Sequence, residues 1–311
     1  MLEYNRFAGC LAGLAAGDAL GTTVEFSPPG TFAPLTDMNG GGVFGLKAGQ
    51  WTDDTSMALC LAESLIKSEG FDPRDQMDRY VKWFQEGHLS STGVCFDIGN
   101  ATRTALTAYL ETGEPYSGSE NPRSAGNGSI MRLAPVPMFY ASAPEQALSY
   151  AEASSRTTHA ARECLDACRL LTAILLAGLH GWPRERILAA GAFEAWLGGR
   201  KLSPRIQDIY SGSYLRLAPP DIRGTGYVAE SLEAALWAFA ASSNFEEGAL
   251  LAVNLGDDAD TTGAVYGQIA GAYYGWEGIP ERWRDKLAMG DLILEYASRL
   301  YQKGTSAVSE K

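Results

Sequence analysis

Glycine recurs at every fourth residue in two separate stretches, Gly9, Gly13, Gly17 and Gly21 in one and Gly263, Gly267, Gly271 and Gly275 in the other. Both stretches are otherwise small, apolar and free of proline, so both read as helices whose glycines line up as one i, i+4 ridge. A glycine inside a helix costs about 1 kcal/mol relative to alanine, so such rows need a compensating contact. A ridge without side chains supplies one, because it lets a second helix approach closer than the usual ~8–10 Å between axes. The expectation is two helices packed together deep in the core. The alternative is a pair of Ala/Gly-rich buried helices with no special partner.

Helical periodicity covers most of the remaining chain, with candidates at residues 6–19, 55–68, 73–86, 98–112, 130–140, 144–154, 159–179, 183–196, 203–211, 228–241, 245–254, 261–274, 280–287 and 290–302. Pro73, Pro144, Pro183 and Pro280 are read in first turns, where the missing N–H costs nothing. Alternating strand patterns are nearly absent. An all-α single domain over residues 1–303 follows, with the small polar stretch 304–311 expected to be a disordered tail. Three longer irregular stretches, 22–50, 113–128 and 198–226, are rich in Gly, Pro and Ser yet carry aromatic or apolar residues, and read as functional loops rather than linkers.

The 25 Lys and Arg against 37 Asp and Glu leave a formal charge of −12, which disfavours an electrostatic grip on phosphate backbone or anionic lipid. Five cysteines without a C-x-x-C pair point to a reducing cytoplasm. The apolar run 7–17 has the look of a signal-peptide core, but Glu3 precedes it and Arg6 stands alone, so it is read as helix. The run 170–179 is about half the ~20 residues a membrane crossing needs, and no membrane insertion is expected.

Chemistry concentrates in two acidic stretches, Thr52-Asp53-Asp54-Thr55 and Asp257-Asp258-Ala259-Asp260-Thr261, each of which opens a helix. Capping explains one acceptor per helix start. Five aspartates exceed that need, so the two stretches are expected to meet around a counter-ion. Oxygen donors with no Cys or His select Mg²⁺, Mn²⁺ or Ca²⁺, and carboxylates from two helix starts can bridge a metal pair ~3.5–4 Å apart. Gly126-Asn127-Gly128-Ser129 reads as a phosphate-accepting loop or as a turn with a cap. Asp97 and Asn100 are read by default as caps, His88 and His180 as structural, Cys164 and Cys168 as packed thiols, and Tyr227 as an aromatic wall or a staple. His159 is placed at the start of a long helix.

Taken together, the segments 9–25, 49–57, 92–100, 126–135, His159, 226–239 and 254–275 resemble the ADP-ribosylglycohydrolases, most closely the bacterial branch that includes the dinitrogenase reductase-activating glycohydrolase. The resemblance implies a compact orthogonal multi-helix domain with two divalent cations, Mg²⁺ or Mn²⁺, in a cleft. By position it makes Thr52, Asp53, Asp54, Asp258, Asp260 and Thr261 metal ligands and sets Asp257 aside as a supporting or capping residue. It places Glu25 beside the metals and Asp97 near the scissile bond as catalytic residues. Asn100, Gly126, Asn127, Gly128, Ser129, His159 and Tyr227 become substrate-binding residues. The implied activity is hydrolysis of the N-glycosidic bond of ADP-ribosyl-arginine on proteins. Other ADP-ribosyl linkages (serine, nucleobase, free metabolite), a two-metal phosphoesterase, and a non-catalytic ADP-ribose-binding or crystallin-like protein are the alternatives. The implied partner is an ADP-ribosylated protein or small molecule, with nucleic acid expected only as a modified substrate.

Overall fold

A computed structural model describes residues 2–306 of the chain. The helices are α1 (Tyr4–Gly21), α2 (Asp53–Lys67), α3 (Pro73–Glu86), α4 (Asn100–Thr112), α5 (Pro135–Phe139), α6 (Pro144–Arg156), α7 (Arg162–Leu179) and α8 (Arg184–Ile187). They continue as α9 (Glu194–Leu197), α10 (Pro204–Tyr210), α11 (Val228–Ala241), α12 (Phe245–Val253), α13 (Ala259–Tyr274), α14 (Glu281–Arg284) and α15 (Gly290–Thr305). Among the described residues the only β features are isolated bridges, so the all-α expectation holds.

The fold is built on α1 and α13. Every residue of α1 from Phe7 on and every residue of α13 as far as Ala272 is buried, the pattern of helices enclosed on all sides. Their glycine ridges interlock in antiparallel fashion: a Cβ on Gly13 would run into the Gly267 carbonyl, and one on Gly267 into the Gly13 carbonyl. Gly9 with Gly271 and Gly17 with Gly263 repeat the same reciprocal contact. Gly21 then faces Ala259, so the end of α1 meets the start of α13. The last glycine of the second row is different. Gly275 has φ +77° and caps the C-terminus of α13. Around this pair, α7, α11 and α12 pack on α13, and α15 packs on α1.

Several expected helices change where local chemistry interrupts them. The helix expected over 130–140 shrinks to α5, because Pro135 and Pro137 cannot donate to the carbonyls of Met131 and Leu133. Gln268 of α13 takes over: its Nε2 donates to the Ile130 and Met131 carbonyls at 3.0 and 2.8 Å, and its Oε1 accepts from Ala134 N at 2.8 Å. The helix expected over 183–196 splits into α8 and α9 around Gly191, whose φ is +78°. Pro183 and Pro280 are N-caps, one place before the first turn. The helix expected from His159 begins at Arg162 instead. At the chain end, Gly304 and Thr305 belong to α15 rather than to a tail, because Gly304 packs closely on the Met138 carbonyl. Residues 307–311 of that expected tail lie outside the described residues. No helix among the described residues is long and apolar enough to cross a membrane.

Candidate active site

The site begins with a carboxylate on α1. Asp18 is fully buried, and it caps α2 from outside. Its Oδ1 accepts from Thr52 N (2.9 Å) and Thr52 Oγ1 (3.0 Å), and its Oδ2 accepts from Thr55 N (3.0 Å) and Thr55 Oγ1 (2.6 Å). Thr52, the N-cap residue itself, makes no capping bond with its own side chain. Asp18 thereby locks the first acidic stretch to the glycine-ridge helix. Sequence reasoning missed this residue, although a lone carboxylate in the apolar run Gly17-Asp18-Ala19 was a readable signal.

The two acidic stretches meet directly above it. The Thr52 hydroxyl lies 3.0 Å from Asp18 Oδ1, 3.2 Å from Asp54 Oδ2 and 3.1 Å from Asp260 Oδ2, so one proton faces three carboxylate oxygens. Thr261 Oγ1 adds a 3.4 Å contact to Asp54 Oδ2. Ligand atoms of Asp53, Asp54 and Asp260 lie within 4.8 Å of one another, as do those of Glu25, Asp97 and Asp260. Asp260 belongs to both groups. Three buried oxygens of this cluster, Asp54 Oδ1, Asp260 Oδ1 and Glu25 Oε2, have no hydrogen-bond partner. Buried carboxyl oxygens without a partner, in this number, fit a hard divalent cation.

Two neighbours of the cluster have their own contacts. Asp258 Oδ2 accepts from Asn127 Nδ2 at 2.6 Å, which ties the glycine loop to the start of α13 and leaves Asp258 outside both carboxylate groups. Asp257 adopts φ +53° and pairs with Arg223 at 3.6 Å. Asp97 (φ +58°) and Phe26 (φ +60°) share this left-handed conformation, so three non-glycine residues at one site sit in a region that side chains disfavour.

Burial, followed by repulsion from neighbouring carboxylates, raises the pKa of Glu25 to about 10 and that of Asp97 to about 7. Asp53, Asp54 and Asp260 are pushed up for the same reasons. A carboxyl whose pKa is raised by folding costs nothing below its unfolded value, and stability is lost as pH rises from there through the folded value. Chelator-treated protein is therefore expected to melt at lower temperature at pH 8.5 than at pH 6, the window containing the Asp97 value of about 7. Divalent cation should flatten the difference. A melting temperature that rises over this window in chelator would contradict the reading of the cluster.

The cluster floors a cleft of about 830 Å³ lined by Glu25, Asp53, Asp97, Asn127, His159 and Asp260 among others. A second chamber, also about 830 Å³, shares Asn100, Ala101, Gly126 and Gly226 with it and reaches Tyr227. A slightly larger cavity of about 850 Å³ near Trp237 and Leu250 contains none of the carboxylates named above, so size alone does not mark the site. The glycine loop forms one wall. Gly128 has no room for a side chain because the His159 ring lies against it, a would-be Cβ falling 2.7 Å from Cε1. Burial, and then the Arg132 charge, lower the His159 pKa to about 3, so the imidazole is neutral. Arg132 also holds the loop, donating to the Gly128 carbonyl at 2.7 Å and to Thr158 Oγ1 at 2.7 Å.

Not every expected residue faces the cleft. Thr52 and Asp54 lie beneath its floor, 0 and 1% exposed. Ser129 is directed to the core, where its hydroxyl accepts from Cys168 at 3.4 Å, and Cys164 donates to the Gly126 carbonyl at 3.3 Å. The two thiols are packed under the loop, as expected. Tyr227 borders the second chamber and donates to Glu163 Oε2 at 2.7 Å. His88 Nε2 pairs with Glu63 at 2.8 Å, and His180 Nε2 lies 2.9 Å from the Ala141 carbonyl, both away from the cleft.

Fold and site define a class: an all-α protein whose central helix pair sets a buried cluster of oxygen donors at the floor of a two-chambered cleft. The sequence model described as ADP-ribosylglycohydrolase matches residues 2–308, and the chain belongs to that family. It is 44% identical over 299 residues to ADP-ribosylarginine hydrolase Tri1 of Pseudomonas putida (strain GB-1), covering 96% of this chain and 78% of that protein. It is 33% identical to the ADP-ribosyl-dinitrogen reductase glycohydrolase of Rhodospirillum rubrum, covering 92% and 91%. A solved structure described as an ADP-ribosylglycohydrolase-related protein complex superposes with a TM-score of 0.87 at 48% identity, over 97% of this chain and 99% of that one.

Proposed function

We propose that this protein is a divalent-cation-dependent hydrolase that cleaves the N-glycosidic bond between ADP-ribose and arginine on modified proteins. The observation that carries the reading is the pair of carboxylate groups sharing Asp260, with three unpartnered buried oxygens, at the floor of a cleft with room for an ADP-ribosyl unit. The arginine acceptor follows from the likeness to the arginine hydrolase and to the dinitrogen reductase enzyme. Free cysteines suit a reducing compartment, and we place the protein in the cytoplasm.

Thr52, Asp53, Asp54, Asp258, Asp260 and Thr261 would hold two cations, Mg²⁺ or Mn²⁺, with Glu25 beside them. When bound, these supply Lewis acidity at the ribose next to the scissile bond. The remaining work falls to side chains and backbone. Gly126, Asn127 and Gly128 form the wall against which the diphosphate lies, the N–H groups of Gly126 and Asn127 being donated to the Ser124 and Gly226 carbonyls, and the start of α4 at Asn100 presents backbone donors to it. The N-terminus of α4 carries no side-chain cap and lines the cleft, which leaves it open to an anion. His159 supports the loop as a neutral ring, and Ser129 acts from behind it. Tyr227 walls the second chamber. Asp97, facing Glu25 and Asp260, is the group that moves a proton between the attacking water and the departing guanidine nitrogen, whose loss passes through an oxocarbenium-like state.

Assayed on ADP-ribosyl-arginine with Mg²⁺ or Mn²⁺, the protein is expected to release free ADP-ribose, and Asp97→Ala to lower kcat by about 10²–10⁴-fold while cation binding persists. Near-normal turnover by Asp97→Ala with cation binding intact would remove Asp97 from the mechanism. Release of AMP would assign a phosphoesterase instead, and binding of ADP-ribose without turnover a non-catalytic binder. Full activity in chelator would overturn the cation requirement.

A further inference from the structure

Phe26, which lines the cleft, is one of the most exposed large apolar side chains of the protein. Among the described residues Phe26, Val43 and Val94 lead in exposure, at 61, 62 and 61%. A ladder of rings joins the three segments that carry them: Phe26 meets Phe44 edge-on at 6.4 Å between centroids, and Phe44 meets Phe96 at 5.1 Å. Val43 directly precedes Phe44, and Val94 stands two residues before Phe96. The ladder is attached to the chemistry at both ends, since Phe26 follows Glu25 and Phe96 precedes Asp97. Phe26 also lines the cleft itself.

The backbone holds this arrangement against its own preference. Phe26 is left-handed, and it is kept there by a reciprocal clamp: its N–H donates to the Asp257 carbonyl at 2.7 Å, and Asp257 N–H donates to the Ser27 carbonyl at 2.9 Å. A bulky ring on a strained backbone facing water contributes little to the fold, and exposed apolar side chains beside a cleft mark an interaction surface. Its position says which part of a substrate it meets. The second chamber opens on the far side of Asn100 and Gly126, so ADP-ribose fills the cleft in that direction and the acceptor leaves past Asp97 and Phe26.

We infer that this aromatic collar is a docking surface for the modified protein and receives apolar side chains flanking its ADP-ribosylated arginine. The inference rests on the proposed arginine hydrolase activity. The collar's own surface is apolar, so apolar neighbours of the arginine are the match.

The test uses two peptides ADP-ribosylated on a single arginine, one with leucines and one with serines on both sides, alongside free ADP-ribosyl-arginine. The wild type is expected to favour the leucine peptide by about tenfold or more in kcat/KM, expressed mainly in KM. Val43→Ser/Val94→Ser and, separately, Phe26→Asn, which tolerates the left-handed backbone, should each reduce that preference to about twofold or less. The loss in the double variant should be confined to the peptides, with an unchanged melting temperature. Equal use of both peptides by the wild type, or a preference that survives in both variants, overturns the collar while leaving the activity standing. Failure of the wild type to hydrolyse any of the three overturns the proposed function and the collar with it.

Discussion

Replacing Asp260 with alanine is expected to abolish turnover, by on the order of 10³-fold or more, and to abolish calorimetric binding of Mn²⁺. Asp260 is the residue common to both carboxylate groups, and its Oδ1 is one of the unpartnered buried oxygens. Asp53 and Asp54 belong to one group and Glu25 and Asp97 to the other, so none of them stands in both places. The same substitution carries a second signature of opposite sign. Burial and then like charge raise the pKa of Asp260, so in chelator the carboxylate weakens the fold. Chelated Asp260→Ala should therefore melt higher than chelated wild type, whereas Mn²⁺ should raise the wild-type melting temperature and leave the variant unmoved. A variant that keeps its Mn²⁺-dependent shift would remove Asp260 from the centre of the site.

Gly13→Ala, deep in α1, should destabilise the protein by ~3 kcal/mol or more. Helix propensity alone predicts the reverse, a gain of about 1 kcal/mol, so the sign decides between an ordinary helix and a ridge contact. The added methyl would occupy the space of the Gly267 carbonyl, a backbone group with no rotamer to escape into. Gly267→Ala should behave alike, being the mirror contact. Gly290→Ala at the start of α15 serves as the comparison, since a Cβ there meets nothing within 4 Å, and it should be neutral or mildly stabilising. Urea unfolding of the three variants checks this. A Gly13→Ala protein within about 1 kcal/mol of wild type would show that the close approach is not needed. The effect should reach the site as well, because the ridge is what brings Asp18 and Glu25 to the start of α13.

Much of this was legible in the chain itself. The excess of aspartates over capping needs announced that the two acidic stretches share something, and Thr52 contacting both Asp54 and Asp260 is the outcome. The glycine rows announced a close helix pair. What escaped notice has a common cause. Asp18 acts on α2 from another helix, so no motif around Thr52 points to it. The helix expected over 130–140 fails because of two prolines, and the side chain that compensates, Gln268, is distant in sequence. Ser129 lies next to cleft-lining Gly128 yet turns toward Cys168, a choice made by what packs behind the loop.

The sequence by itself determined the helical class, the central pair and the oxygen-donor chemistry, because periodicity and residue type are local properties that survive without knowledge of neighbours. Only the tertiary structure decided which carboxylate is shared, which one caps α2, which loop residues face the cleft and where the aromatic collar lies. Those depend on side-chain direction and on hydrogen bonds between distant segments, and such contacts are set when α1 and α13 close along their glycines.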